Sequence, residues 1–353
     1  MPINTSTGVY SAPSNSWNPA VADTVINSDD WNAIRNDMAD ALSRVSATTR
    51  ALWPLTSQVQ DGVFVWGGTA ANVLALGSLC RSWEAVITPV TAHLQVDEAG
   101  APERMAQVKL LTVDTPDGKL RPADLEPFLT RTGDEHAVQP RVVSIANSTE
   151  LGTVYELDEL RALADAAHGH GMYLHVDGAR LANAAVALGT GLGEITTAIG
   201  ADVVSCGMTK NGAMGVEGVV FLNGLAPDGF RWIRKQHAQL ASKMRFLSAQ
   251  AIGLLEDDVW ADNARNANAM ARDLAAAAGD VPGVRITQEV RANAVFAILP
   301  PGAADELRRH FPFYDWDPAT GEVRWMCCWD TTPQDIDAFV AALREVCAVA
   351  SAP

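Results

Sequence analysis

The sequence predicts an α/β protein, a large domain on a mostly parallel sheet followed by a small α+β domain at the C-terminal end. Three observations lead there. From Val63 to Leu222 short apolar runs alternate with helical stretches, the rhythm of a parallel sheet covered on both faces. The first of those strands passes through a Gly-Gly turn straight into a helix. Beyond about residue 255 the rhythm changes to short strands mixed with helices. At 353 residues the chain is too long for one small core and fits two domains. The division read here is an atypical segment over 1–60, a large domain over 61–255 and a small domain over 256–353.

Residues 1 to about 60 differ in composition from the rest. Met1 to Asn27 is rich in Ser, Thr, Asn and Pro and carries one charge, Asp23. Trp31 to Val45 shows helical spacing, with Ile34, Met38, Ala41 and Leu42 on one side and Asp29 or Asp30 available as a cap. Val63–Trp66 then reads as a strand, Ala70–Leu79 as a helix, and Ala85–Thr88 and Val108–Val113 as strands. A Pro-Asp-Gly turn follows at 116–118. Val142–Ala146 is a strand, and Leu157–His170 is an amphipathic helix stopped by Gly171. Tyr173–Val176, Asp202–Cys206 and Val216–Leu222 are strands, with a helix over Leu181–Leu188. Arg231–Asp257 reads as one or two long helices and Ala261–Ala278 as another. The C-terminal part offers the segments Val284–Thr287, Asn293–Leu299, Ala303–His310, Val323–Trp329 and Pro333–Val349, short strands mixed with helices.

Composition excludes several function classes. Hydrophobic residues make up 48% and charged residues 19%, which permits a substantial core. The net charge of −16 argues against a nucleic-acid or anionic-membrane partner, because phosphate backbones demand a positive footprint. No run of about 18 apolar residues is present, so no membrane span is expected. The N-terminus lacks the basic start and apolar stretch of a secretory signal. Cys80, Cys206, Cys327, Cys328 and Cys347 are odd in number and show no CxxC spacing, which suits reduced thiols in a cytoplasmic protein and no metal site. Of the adjacent Cys327 and Cys328, a strand would turn at most one toward a site.

Three features could carry chemistry. The chain has five lysines, and Lys210 stands apart from Lys109, Lys119, Lys235 and Lys243. It follows the apolar strand end Val203-Val204-Ser205-Cys206 and precedes Asn211-Gly212-Ala213-Met214-Gly215. A lysine there points into the crevice where α/β proteins bind ligands, and burial would make it a usable amine nucleophile. A surface loop lysine is the other reading of this segment. Asp177, in His175-Val176-Asp177-Gly178-Ala179-Arg180, also ends a strand. It could pair with a protonated pyridine nitrogen, or simply cap the helix at Leu181. Arg180 could clamp a phosphate or carboxylate, or lie on the surface of the first helical turn. Gly67-Gly68-Thr69 could hold a phosphate on backbone N–H groups, although Gly-Gly turns are common. Together, a phosphate loop, a strand-end Asp and a strand-end Lys at one sheet edge point to pyridoxal 5′-phosphate.

The chain resembles the threonine aldolase and β-eliminating lyase family of fold-type-I pyridoxal-phosphate enzymes. The resemblance rests on HVDGARLANAAVALG (175–189), STELGTVYELDELRALADAAHGHGM (148–172) and CGMTKNGAMGVEGVVFLN (206–223), with GGTAANVLAL (67–76), AHLQVDEAGAPER (92–104) and VRWMCCWDTT (323–332). It runs from about Val63 to the C-terminus. It implies that Lys210 forms the Schiff base with the cofactor and that Asp177 holds the pyridine nitrogen. It implies that His93 stacks on one ring face with Ala179 on the other, and that Gly68 and Thr69 bind the phosphate. Arg180 and Arg324 would fix the cofactor hydroxyl side and the substrate carboxylate, with Arg324 preferred for the carboxylate. Without the resemblance, His93 reads as a structural histidine. The implied reaction is retro-aldol cleavage of a β-hydroxy-α-amino acid to glycine and an aldehyde, with His93 or a water it orients as base. A homodimer or homotetramer with sites at the subunit interface is implied too. Rival readings are β-elimination or dehydration on the same scaffold, and a non-enzymatic fusion with a passenger aldolase part.

Two departures from the family pattern stand out. The usual Ser-Asp start with its Gly- or Pro-containing turn is not found. Residues 1–60 resemble instead the N-terminal piece of phage tail-associated proteins, which favours a fusion over the alternative that Asp29-Asp30-Trp31 is a diverged acidic remnant. Gly67 replaces the Asn or Ser usual before the Gly-Thr pair, which removes one polar side chain from the phosphate cup.

Overall fold

The computed structural model describes residues 61–225 and 227–350. The segment 1–60, with the helix expected over Trp31–Val45 and the Asp29-Asp30-Trp31 motif, lies outside the described residues. Seven strands form the main sheet: β1 (Asp61–Val65), β2 (Glu84–Pro89), β3 (Lys109–Val113), β4 (Gln139–Ala146), β5 (Tyr173–Gly178), β6 (Val203–Gly207) and β7 (Glu217–Phe221). Their order is β1-β7-β6-β5-β4-β2-β3. From β3 to β6 all pairings are parallel, and only β7 runs antiparallel to its neighbours β6 and β1. The carboxyl ends of β1, β2, β4, β5 and β6 therefore share one edge, and the amino end of β7 joins them there.

The strands in the middle of this sheet are apolar because helices cover both faces. Leu174 and Val176 of β5 and Val203 and Val204 of β6 are fully buried. The helix α1 (Gly68–Leu79) is buried on more than one side: Ala71, Leu74 and Ala75 pack into one apolar cluster, Val73 and Leu76 into another. That double burial explains its lack of a polar stripe; its buried positions Ala71–Leu76 include one polar residue, Asn72. The helix α4 (Leu157–Gly169) is amphipathic as expected, and Gly171 after it adopts φ +69°. The helix α5 spans Leu181–Leu188, as the sequence predicts.

The backbones at the β5 and β6 ends approach too closely for side chains. A Cβ at Gly207 would lie 2.5 Å from the Ala179 Cα and 2.6 Å from the Gly178 carbonyl. We expect Gly207→Ala to destabilise the fold by about 3 kcal/mol, the upper range for overpacking. Chemical denaturation checks this, with Gly215→Ala, where a Cβ meets open space, as the neutral control.

A second, antiparallel sheet of order β10-β11-β9-β8 forms the C-terminal layer, from β8 (Arg285–Ile286), β9 (Ala294–Ile298), β10 (Tyr314–Asp317) and β11 (Glu322–Met326). The helices flanking it are α8 (Val259–Gly279), α9 (Ala303–Arg308) and α10 (Pro333–Ala350). Here the structure departs from the periodicity twice. β10 escapes the pattern because Tyr-Asp-Trp-Asp is a short, polar edge strand with its residues mostly exposed. The expected segment Val323–Trp329 forms a strand only as far as Met326, and Cys327 donates its N–H to the Asn293 carbonyl. Of the cysteine pair, Cys327 is buried and Cys328 exposed. The expected helical stretch Arg231–Asp257 resolves into α6 (Phe230–Gln236) and α7 (Arg245–Leu255), parted at Ala238, whose φ of +59° no helix accommodates. No helix among the described residues is long and apolar enough to cross a membrane.

Candidate active site

The shared strand edge forms a cavity of about 320 Å³ lined by Gly67, Gly68, Thr69, His93, Asp177, Ala179, Ser205, Thr209, Lys210 and Glu217, among others. Six of the sequence-predicted residues, Gly68, Thr69, His93, Asp177, Ala179 and Lys210, thus meet at one place. Each arrives for a topological reason. Asp177 and Ala179 sit at the carboxyl end of β5. Lys210 lies in the 3₁₀ turn Thr209–Asn211 that follows β6. Gly68 and Thr69 open α1 directly after β1. His93 opens α2 (His93–Val96) after β2.

The mouth of α1 suits an anion. Gly67 precedes it in extended conformation, and no side chain caps its first turn. Its first N–H groups, with the positive end of the helix dipole, are left for a ligand. A Cβ at Gly67 or Gly68 would meet no atom within 4 Å, so the space beside them is open.

Asp177 is not a helix cap. The residue capping α5 is Arg180, with no side-chain bond, while Asp177 accepts from the Ala179 N–H (Oδ1, 3.0 Å) and from Asn72 Nδ2 (Oδ2, 2.8 Å). The carboxylate is 7% exposed and lies toward the cavity. Beneath it His175 is fully buried between Ser144 Oγ (2.8 Å) and Ser205 Oγ (2.9 Å). Burial pushes the His175 imidazole down to about 4, so it is neutral and serves the sheet as a polar rung.

Lys210 is solvent-accessible through the cavity mouth. Loss of hydration against the cavity wall, then the Arg180 and Arg324 guanidinium groups, lower its amine below the ordinary lysine range, while Asp177 and Glu217 oppose them. A lysine so tuned keeps a larger nucleophilic fraction at neutral pH. Arg180 and Arg324 do not line the cavity but adjoin it; burial, and then the Arg324 charge, lower the proton affinity of Arg180. Arg324 stacks on the Trp316 ring at 4.5 Å, and its buried Nε has no partner. Neither arginine makes an ion pair among the described residues. Two neighbouring, partly buried guanidinium groups that make no direct ion pair are suited to a carboxylate or phosphate.

Sequence reasoning missed four polar residues of this site. Asn72 Nδ2 lies 2.8 Å from both Asp177 and Glu98. Glu98 Oε1 lies 2.9 Å from His93 Nδ1. Glu217, at the amino end of β7, accepts the Met208 N–H at 2.7 Å and so braces the turn carrying Lys210. Glu150 accepts the His93 N–H at 2.8 Å. A polar side chain inside the otherwise apolar α1 was the one available signal, and it pointed to Asn72.

Burial, and then the Asp177 carboxylate, push Glu150 up to about 7. Between its ordinary value near 4.5 and about 7, the folded protein therefore holds a proton that the unfolded chain has lost. Stability from this group falls as pH rises through that window. Glu150→Gln is expected to gain stability relative to the parent at pH 8 but not at pH 4, measured by thermal melts of the cofactor-free protein.

Comparison with known proteins agrees with this geometry. A family model described as beta-eliminating lyase matches residues 27–300. That match begins inside the segment 1–60 set apart above. The chain is 43% identical over 285 residues to the low specificity L-threonine aldolases of Pseudomonas sp. (strain NCIMB 10558) and Pseudomonas aeruginosa, covering 80% of this chain and 82% of each relative. The structure of Leishmania major threonine aldolase superposes with a TM-score of 0.80 at 31% identity, over 89% of this chain and 96% of that one.

Proposed function

The chain belongs to the beta-eliminating lyase family, and from that premise we propose that it is a pyridoxal-phosphate-dependent aldolase acting on L-threonine-type β-hydroxy-α-amino acids. The products are glycine and an aldehyde. The observation that carries this reading is the convergence of Lys210, Asp177 and the uncapped start of α1 on one cavity.

The residues present fit the cofactor. The first N–H groups of α1 and the Thr69 hydroxyl would hold its phosphate, Asp177 its pyridine nitrogen, and Lys210 its aldehyde carbon. His93 and Ala179 would flank its ring, and Arg180 would serve its hydroxyl side. When bound, the cofactor supplies an electron sink for the pair left on Cα as the Cα–Cβ bond breaks. The protein's part is to orient and to move protons. Arg324, with Arg180 beside it, fixes the substrate carboxylate. The β-hydroxyl proton leaves to a base at the cavity, His93 or a water it orients, and Lys210 supplies the amine that would hold the cofactor until substrate enters.

Incubation with L-threonine tests the reading. Glycine and acetaldehyde in equal amounts are expected. A keto acid with ammonia would replace it by the elimination reading. Binding of the cofactor without any product would favour the non-enzymatic one. Arg324→Lys is expected to raise KM about tenfold or more with a smaller change in kcat, because a lysine loses the bidentate grip on a carboxylate; steady-state kinetics on L-threonine measure it.

The domain division proposed is 1–60, 61–255 and 256–353. Its support is two separate apolar cores, with α8 contributing Ala261 and Ala264 to the first and Met270, Ala271 and Leu274 to the second. A cytoplasmic homodimer or homotetramer with sites at the subunit interface is proposed as well. Trp66 and Met214 support it, since both line the cavity and are 48% and 85% exposed. Sedimentation of a monomer at micromolar concentration would overturn that assembly.

A further inference from the structure

Two carboxylates and a histidine of this site are joined by one amide. Asn72 Nδ2 donates to Glu98 Oε1 and to Asp177 Oδ2, each at 2.8 Å. Glu98 Oε1 also meets His93 Nδ1 at 2.9 Å. Asn72 and Glu98 are 2% and 4% exposed, so this chain is shielded from water along its inner length. We propose that Glu98 is a positioning residue that, linked to Asp177 through Asn72, takes the Nδ1–H of His93, holds the ring over the cavity as an imidazolium and leaves Nε2 as its working nitrogen.

Three observations carry this. A buried carboxylate needs a counter-charge, and His93 is the partner in the one ion pair Glu98 makes among the described residues. The second oxygen of Glu98, Oε2, is buried without any partner, so the Asn72 amide is the one side-chain donor besides His93 that meets this carboxylate among the described residues. The ring of His93 lines the cavity while its Nδ1 is engaged, which fixes its orientation.

The charges facing His93 come from four directions. Glu98 lies just past its own helix, Asp177 on β5, Lys210 on the turn after β6, and Glu150 on the loop after β4 at its backbone N–H. Asp97, next to Glu98, acts on Arg324. The hydrogen bond that His93 donates to Glu98 and the Asp177 and Glu98 charges raise the imidazole above its usual value, against burial and Lys210. As an imidazolium, His93 is an acid and not a base. The role of base under the proposed reaction then falls to water or another group, and His93 can return a proton or bind a developing oxyanion. The inference rests on the cavity assignment of the proposed function, yet its test needs no turnover.

The test is a titration of the seven histidines by NMR in the cofactor-loaded protein, with His93 assigned from its loss in His93→Asn. Glu98→Gln keeps the side-chain shape and removes the charge, so the His93 midpoint is expected to move to lower pH. Asn72→Leu removes the amide that serves both carboxylates, so the midpoint is expected to move to higher pH. A merely structural role predicts no such opposition. An unmoved midpoint in Glu98→Gln, or a downward shift in Asn72→Leu, overturns the proposal. Should Glu98→Gln fail to fold, Asn72→Leu decides the matter by itself.

Discussion

Lys210→Ala is expected to lower kcat on L-threonine by more than about 1,000-fold, the scale on which removing a covalent nucleophile acts. No other lysine of the described chain can take over. Lys119 is paired with Glu159 at 2.7 Å, and Lys109, Lys235 and Lys243 are exposed on other elements. None of the four lines the cavity. The substitution leaves the fold intact, since Lys210 is exposed and ends in a cavity rather than a packed core. Its phosphate cup and Asp177 persist, so the variant still takes up the cofactor but loses the visible colour of the covalent adduct. A thermal melt within about 2 °C of the parent, with turnover gone, is the expected pair of results. A variant turning over within tenfold of the parent would end the assignment of Lys210.

Asp177→Asn is expected to cost about 100-fold or more in kcat, comparable to the loss of a preorganised electrostatic group. The shape is nearly conserved, so the loss reports the charge. With no carboxylate beside it, the ring nitrogen keeps its proton less readily and the electron sink weakens. The same change disturbs the network from the other side. Asn72 Nδ2 donates to Asp177 Oδ2, and an amide nitrogen placed there would face donor to donor. The variant is therefore expected to lose about 1–3 kcal/mol of stability as well, the cost of an unsatisfied buried polar group. Asp177→Glu separates the two effects, since it keeps the charge and loses the position. Equal kcat in the parent and Asp177→Asn would remove Asp177 from the chemistry. Ser205→Ala is the control: it removes the hydroxyl that partners His175 Nε2, and a change of more than tenfold is not expected.

The architecture was legible because burial in a parallel sheet leaves a strong local mark. Central strands are mostly apolar, with Leu174 and Val176 flanking the buried His175 and with Val203–Val204 beside them, and the helices between them end at glycines such as Gly171 and Gly189 that adopt positive φ. A strand's carboxyl end can be read from the same run, so Asp177 and Lys210 could be placed at one edge before any coordinates. The edge strand β10 and the break at Ala238 were not legible, because a polar edge strand and a single left-handed residue leave no periodic signal.

The site divides along the same line. The order of chemistry-bearing residues, Gly68 and Thr69, His93, Asp177, Lys210 and Arg324, is a property of the chain, and the edge to which they run follows from strand direction. The contacts among them come from far-apart segments: Asn72 and Asp177 are 105 residues apart, Asn72 and Glu98 26 apart. Hydrogen bonds of a few ångströms depend on how α1 is pressed between the sheet and its neighbours, and no local pattern encodes that. Charge states follow contact rather than composition. Hence the buried Glu98, the raised Glu150 and the two arginines without a direct ion pair emerge from the packed fold, whose dry interior makes each neighbouring charge count.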